Sequence, residues 1–126
     1  MHVPAELRYS SDHEWVAVSG TRARVGITEY AQDALGDVVF VQVPAVGDVV
    51  KCGDSFGEVE STKSVSDIYA PVSGTVVAVN TDLDSKPETL NSDPYGAGWI
   101  CEIEMSNPAD VEALLDAVGY QALIDG

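Results

Sequence analysis

Basic residues are scarce: 6 Lys plus Arg stand against 21 Asp plus Glu in 126 residues, a formal net charge of −15 at pH 7. Arg8, Arg22, Arg24, Lys51, Lys63 and Lys86 form no cluster that could neutralise a phosphate backbone. A nucleic-acid surface is excluded on that ground, and an anionic membrane surface is disfavoured. Long apolar runs are also missing, and nothing approaches the roughly 20 residues of a membrane helix. The stretch from Met1 to Trp15 has no basic start followed by an apolar run, so no secretory signal is read there. Its acidic residues argue against a transit peptide, and a cytoplasmic location is expected. Cys52 and Cys101 lack the close spacing of a zinc or redox motif and are expected to be buried free thiols. His2 and His13 have no further histidine beside them, so a metal centre is not expected.

What is present is enough apolar material, 45% of residues, for one compact core. The aliphatic runs VVFVQV, GTVVAV and WICEIEM distinguish the chain from an acidic disordered one. A single domain over 1–126 is the working count.

Short β-prone runs at Glu14 to Val18 and Thr21 to Ile27 suggest a hairpin turning at Ser19-Gly20. Thr28 is placed to cap a helix from Glu29 to Leu35, with Gly36 ending it in a left-handed conformation. A strand from Asp37 to Val43 stops at Pro44, and short strands divided by Gly and Pro turns follow. Gly47-Asp48-Val49-Val50 is weakly echoed by Gly74-Thr75-Val76-Val77, about a midpoint at Ser61 to Ser64. That symmetry suggests two β-hairpin layers folded over each other with the midpoint turn projecting. Asp82 to Pro94 reads as a loop or one helical turn, and Trp99 to Met105 as a half-exposed strand. Asn107 as cap, Pro108 at the first helical position, and Val111, Leu114, Leu115 and Val118 at three- and four-residue spacing predict a helix that Gly119 breaks. Tyr120 to Ile124 is expected to add one more turn.

The informative segment is GEVESTKSVSDIYAP, Gly57 to Pro71. Strands Phe56 to Glu60 and Val65 to Tyr69 meet at a polar turn containing Lys63, which should be exposed. A lysine there is an accessible acceptor for acylating enzymes; on position alone it is equally an ordinary surface charge. With Gly47-Asp48 before it and Ala70-Pro71-Val72-Ser73-Gly74 after it, the stretch resembles the swinging-arm domains that hold lipoate or biotin on a hairpin lysine. Biotin carriers usually flank that lysine with methionines, and 2-oxoacid dehydrogenase lipoyl domains usually place Asp before it. Here Thr62 and Ser64 flank it, and Glu-Ser-Thr-Lys-Ser-Val-Ser-Asp is similar to the glycine cleavage system H-protein family. The resemblance runs from about Leu7 to Ile124 through Ser11-Asp12-His13-Glu14-Trp15, Val25-Gly26-Ile27-Thr28, Leu35 to Val41 and Asn91 to Trp99. Departures fall at Glu88-Thr89-Leu90-Asn91, where members commonly have Leu-Val-Asn or Leu-Ile-Asn, and at Ala34, where some carry His.

The resemblance implies a mainly β fold, a flattened sandwich or barrel-sandwich hybrid of the lipoyl/biotinyl carrier type with short edge helices. A lipoyl-type core would span about 21–105 and a C-terminal helical segment about 108–124. It implies lipoate in amide linkage on Lys63, with Glu60 and Gly74 matching the positions that lipoylating enzymes recognise. It also implies a non-catalytic carrier, since no nucleophile with an adjacent base, phosphate loop or metal cluster is legible. The arm would take the aminomethyl group of glycine from a pyridoxal-phosphate glycine decarboxylase to a tetrahydrofolate-dependent aminomethyltransferase. A flavin-containing dihydrolipoyl dehydrogenase would then reoxidise it with NAD.

Ser11, Glu14, Trp15 and Asp67 are candidates for a cleft sheltering the loaded arm, with Glu14 attracting a cationic amine and Trp15 supplying apolar wall. The alternatives are a core Trp15 and a solvated Glu14. Glu58, Glu60 and Asp67 are placed to steer basic rims of partner enzymes, or serve solubility alone. A role relaying octanoyl or lipoyl groups to other domains, and an unmodified binding protein, remain open. A monomer is expected.

Overall fold

The β-branched runs pair into two sheets, and a computed structural model describes all 126 residues. The chain enters through β1 (Arg8–Tyr9) and turns into the hairpin β2 (Glu14–Ser19) and β3 (Arg22–Ile27). Ser19 pairs with Arg22, so the two-residue turn is Gly20-Thr21, one residue later than the sequence suggests, and Gly20 takes the positive φ of 63° that this turn needs. Trp15 faces Gly26 across the hairpin, and a Cβ at Gly26 would lie 2.6 Å from the indole ring. Only glycine leaves room for that ring.

Helix α1 (Glu29–Leu35) starts as expected at Thr28, whose Oγ1 accepts the Ala31 N–H. It ends at Gly36, where φ is 83° but ψ is −155°, outside the left-handed helical well because the chain extends directly toward β4 (Val38–Gln42). Then come β5 (Val49–Val50), β6 (Ser55–Ser61), β7 (Val65–Tyr69) and β8 (Gly74–Val79). A 3-10 turn at Thr81–Asp84, the single helical turn α2 (Thr89–Ser92) and β9 (Cys101–Met105) complete the core.

One sheet has six strands in the order β1-β2-β3-β9-β8-β5; the other has three, β4-β6-β7. They pack as two layers and do not close into a barrel, with Val16, Val25, Val41, Val59, Ile68, Val76 and Ile103 buried in a single cluster. The two echoed Gly-x-Val segments pair with each other: Val49 lies opposite Thr75 and Val50 opposite Gly74. A second, smaller cluster joins Tyr9, Trp15 and Tyr120 at the other side of β2. No helix is long and apolar enough to cross a membrane.

Two further expectations need correction. Cys101 is buried but Cys52 is exposed, because its segment runs over the surface between β5 and β6. The C-terminal segment is not one helix. Asn107 caps only a 3-10 stretch, Pro108–Ala113; Leu114 is extended, and Leu115 exchanges both backbone hydrogen bonds with Tyr9 at 2.8 Å. That pairing draws the chain out of the helix. Helix α3 (Ala117–Asp125) starts afresh at Asp116, whose carboxylate accepts the N–H of Gly119 inside the helix, and Val118 is 79% exposed. Three- and four-residue spacing is satisfied equally by a short 3-10 turn followed by an extended bridge.

Candidate functional site

The β6–β7 hairpin turns through Ser61 to Ser64. Ser61 is nearly buried, and its Oγ accepts the N–H groups of Lys63 and Ser64, each at 3.1 Å, while donating to the Ser64 carbonyl at 3.2 Å. The Ser61 N–H reaches the same carbonyl at 2.8 Å, and the Thr62 N–H reaches the Asp37 carbonyl at 3.1 Å. One serine side chain thus does the work of a turn carbonyl, and the backbone at the tip is held while the Lys63 side chain stays exposed and forms no ion pair.

The outer end of that side chain lies over the end of α1. A Cβ at Gly36 would sit 2.8 Å from Lys63 Cε, so glycine at this turn opens the path along which the lysine runs. Asn91 of α2 braces the turn from behind. Its Nδ2 donates to the Gly36 carbonyl at 2.9 Å and to Gln32 Oε1 at 3.0 Å, and its Oδ1 accepts the Val38 N–H at 2.9 Å. No role could be assigned to Asn91 from its place in a polar loop, because Val38 and Gly36, the ends of the turn it braces, are 53 and 55 residues away in the chain.

Beginning at Ala34 and Leu35, just before Gly36, a cleft of about 180 Å³ runs down between α1 and β7. Ile27, Tyr30, Ala31, Val59 and Ile68 make it largely apolar, with Asp12, Glu14 and Asp67 as its carboxylates. Glu14 is only 2% exposed. Ser10 Oγ donates to one carboxylate oxygen at 2.5 Å and the Tyr69 N–H to the other at 3.3 Å. Burial pushes its carboxyl up to about 7; the bonds from Ser10 and Tyr69 oppose that shift, and Asp12 adds to it. Glu14 is therefore not a solvated strand-end charge. Asp67 is exposed on the rim, accepting from Ser55 Oγ at 3.2 Å.

The structure separates the other two candidates from this cleft. Side chains alternate along β2, so Trp15 points away from the Glu14 side into the cluster with Tyr9 and Tyr120, where its Nε1 donates to the Pro94 carbonyl at 2.9 Å. Its indole is core and not cleft wall. Ser11 lines a neighbouring groove of about 310 Å³, beside Cys52 and Pro71, that shares Glu14 and Asp12 with the first. His13 takes its place at the cleft's lip with a positive φ of 72°. Its Nδ1 is 2.9 Å from Tyr120 Oη, which is 2.7 Å from Thr28 Oγ1, so α3 is tied to both the lip and the cap of α1. Burial lowers the His13 pKa and raises that of Tyr120 to about 12.

Glu60 is exposed on the outer face of β6, next to the tip. Gly74 is buried, and a Cβ there would lie 2.0 Å from the Glu104 carbonyl oxygen, so close strand packing by itself demands glycine.

An exposed lysine on the tip of a braced hairpin, over a two-layer β scaffold and beside a sheltered cleft, places the molecule in the lipoyl/biotinyl carrier class of folds. Comparison with known proteins narrows the class. The family model described as glycine cleavage H-protein matches residues 7–126. The chain is 59% identical to the glycine cleavage system H protein of Mycobacterium avium over 127 residues, covering 97% of this chain and 96% of that one. It is 58% identical to the H protein of Symbiobacterium thermophilum over 121 residues, covering 96% and 94%. The crystal structure of a glycine cleavage system H protein from Mycobacterium marinum superposes with a TM-score of 0.91 at 45% identity, covering 98% of this chain and all of that one. The chain belongs to the glycine cleavage H-protein family.

Proposed function

We propose that this protein is the lipoyl carrier of a glycine cleavage system, acting in the cytoplasm as a monomer, with lipoate joined through an amide to Lys63. The observation that carries the reading is the exposed, unpaired Lys63 on a fixed turn whose neighbour Gly36 leaves its path open to the cleft. The chemistry supplied by the bound lipoyl group is a disulfide that accepts the aminomethyl unit of glycine at sulfur and is afterwards reoxidised. The partners are the pyridoxal-phosphate glycine decarboxylase, the tetrahydrofolate-dependent aminomethyltransferase, dihydrolipoyl dehydrogenase with its FAD and NAD, and the lipoylating enzymes.

The chain's own residues position and protect; they do not catalyse. The braced turn holds the attachment point, so a tethered arm visits docked partners at an effective concentration in roughly the millimolar range. The apolar walls of the cleft would exclude water from the loaded end of the arm and so protect it from hydrolysis. Glu14 supplies a buried carboxyl that a cationic amine drives toward its ionised form, with Asp12 and Asp67 as further acidic groups of the cleft. Glu60 serves recognition by the lipoylating enzymes. Gly74 serves it by keeping β8 and β9 in close register.

Incubation with a lipoylating enzyme, lipoate and ATP is expected to add one lipoyl group to the native chain by intact mass, and none to Lys63→Arg. Reconstituted glycine decarboxylation and CO2 exchange should follow the same pattern. A native chain that takes no adduct overturns the carrier role, and exchange that survives in Lys63→Arg overturns the assignment of the arm. With the arm loaded, Glu14→Ala should hydrolyse faster than the native protein; equal rates remove Glu14 from the account.

A further inference from the structure

Three large apolar side chains stand exposed at one end of the three-stranded sheet: Val39 at 51%, Phe40 at 49% and Val65 at 58%. Their exposure is built in. The register of β4 on β6 slips between Val38 and Phe40, a bulge that leaves Val39 without a ladder partner and turns both it and Phe40 outward while Val38 and Val41 remain in the core. Phe40 pairs with Glu60, and Glu60 pairs with Val65, so these three share one cross-strand row on the outer face. A carboxylate is thus bracketed by two apolar side chains. The next row, Gln42, Glu58 and Asp67, adds two more acidic groups and no cation.

At about 3.3 Å of strand rise per residue, Val65 and Glu60 lie within about 10 Å of the Lys63 backbone. An enzyme acting at the far end of a lipoyl arm can stand off from the sheet. One that acylates Lys63 cannot: it must bring its acyl carbonyl to Nζ at the end of a four-carbon stem, and so must cover the row directly below the tip.

We propose that Phe40, Glu60 and Val65, with Val39 beside them, form the docking surface for the enzyme that acylates Lys63, whose matching surface is an apolar recess flanking a cationic side chain. This rests on the carrier reading above. In the reaction Nζ gives up a proton and attacks the carbonyl of an activated acyl donor. The C–N bond forms as the bond to the donor's leaving group breaks, and nothing is oxidised or reduced. Glu60 makes the central ion pair, while Phe40 and Val65 exclude water from it.

The test is the rate of lipoylation of the apo-protein by a lipoate–protein ligase with lipoate and ATP, followed by intact mass. Phe40→Ser is expected to lower kcat/KM about fivefold or more, through KM. Val65→Thr, almost unchanged in shape, should lower it about two- to threefold. Glu60→Gln should lower it and flatten its dependence on salt. Val49→Ser, at a still more exposed valine in the other sheet, should change nothing. Fully modified Phe40→Ser, prepared by prolonged incubation, should be reoxidised by dihydrolipoyl dehydrogenase at the native rate. If the native chain is not lipoylated at all, the carrier reading itself fails. If the native chain is lipoylated and Phe40→Ser and Val65→Thr match its KM, or are slowed only with enzymes acting on the finished arm, the docking surface alone is overturned.

Discussion

The hairpin tip at Lys63 and the corner around Glu14 are both rich in polar groups, yet the polar groups serve opposite ends. At the tip, the Ser61 hydroxyl and the Asp37 carbonyl take up the free backbone N–H groups, and the one side chain with chemistry is left in water. At the corner, Ser10, His13, Glu14, Thr28 and Tyr120 bond to each other or to backbone inside the protein, and no buried polar side-chain atom is without a partner. The tip therefore keeps Lys63 available at little energetic expense. The corner buries a carboxyl and half-buries an imidazole, and it shifts both toward their neutral forms. On the proposed reading, the group that other enzymes would modify is displayed, whereas the group that would meet a labile cation is enclosed.

The largest effect on this contrast is expected from Glu14. Its folded pKa of about 7 lies above its ordinary 4.5, so between those values the folded protein holds a proton that the unfolded chain has lost. The stability this contributes is complete below pH 4.5 and is lost as pH rises through about 7. Glu14→Gln should escape that loss, gaining on the native protein by roughly 3 kcal/mol between pH 4.5 and pH 8. Urea unfolding of both proteins at the two pH values measures it, and parallel pH profiles would show that Glu14 is not held neutral.

Tyr120→Phe keeps the stack on Tyr9, whose ring centroid is 4.6 Å away, but removes the hydroxyl between His13 and Thr28. A cost of about 1–2 kcal/mol is expected for groups left unpaired in a part-buried site. The His13 imidazole should titrate differently by NMR, which a purely packing role for Tyr120 would not produce. Ser61→Ala should have the smallest effect, about 1 kcal/mol, because water can reach the freed N–H groups. Its signature is local: amide exchange at Lys63 and Ser64 should accelerate while the Glu14 corner stays protected. Equal acceleration in both places would mean that the tip and the corner are not independent.

Much of this architecture was legible in the residues. Thr28 as cap and Gly36 as terminator identified α1, and the alternation on either side of Ser61 to Ser64 identified the hairpin, because both signals are local in sequence. The lysine was legible as an exposed turn residue, and its flanking residues carried the family resemblance. The C-terminal segment misled because its apolar spacing fits more than one backbone path, and the choice was made by Leu115 pairing with a strand 106 positions earlier. Trp15 misled for a related reason. Its neighbour Glu14 does line the cleft, but strand alternation sends adjacent side chains to opposite faces.

Composition and turn chemistry by themselves determined an acidic, mainly β domain with one lysine displayed on a polar turn, since charge, period and glycine placement act over a few residues. What surrounds that lysine was decided by the tertiary structure. Asn91 braces the turn beneath it, a bulge at Val39 bares the face beside it, and the packing of β2 against α1 and β7 buries Glu14 at the far end of its cleft. Each of these depends on contacts between residues far apart in the chain, and burial, which moves the Glu14 carboxyl toward neutrality, exists only once those contacts have formed.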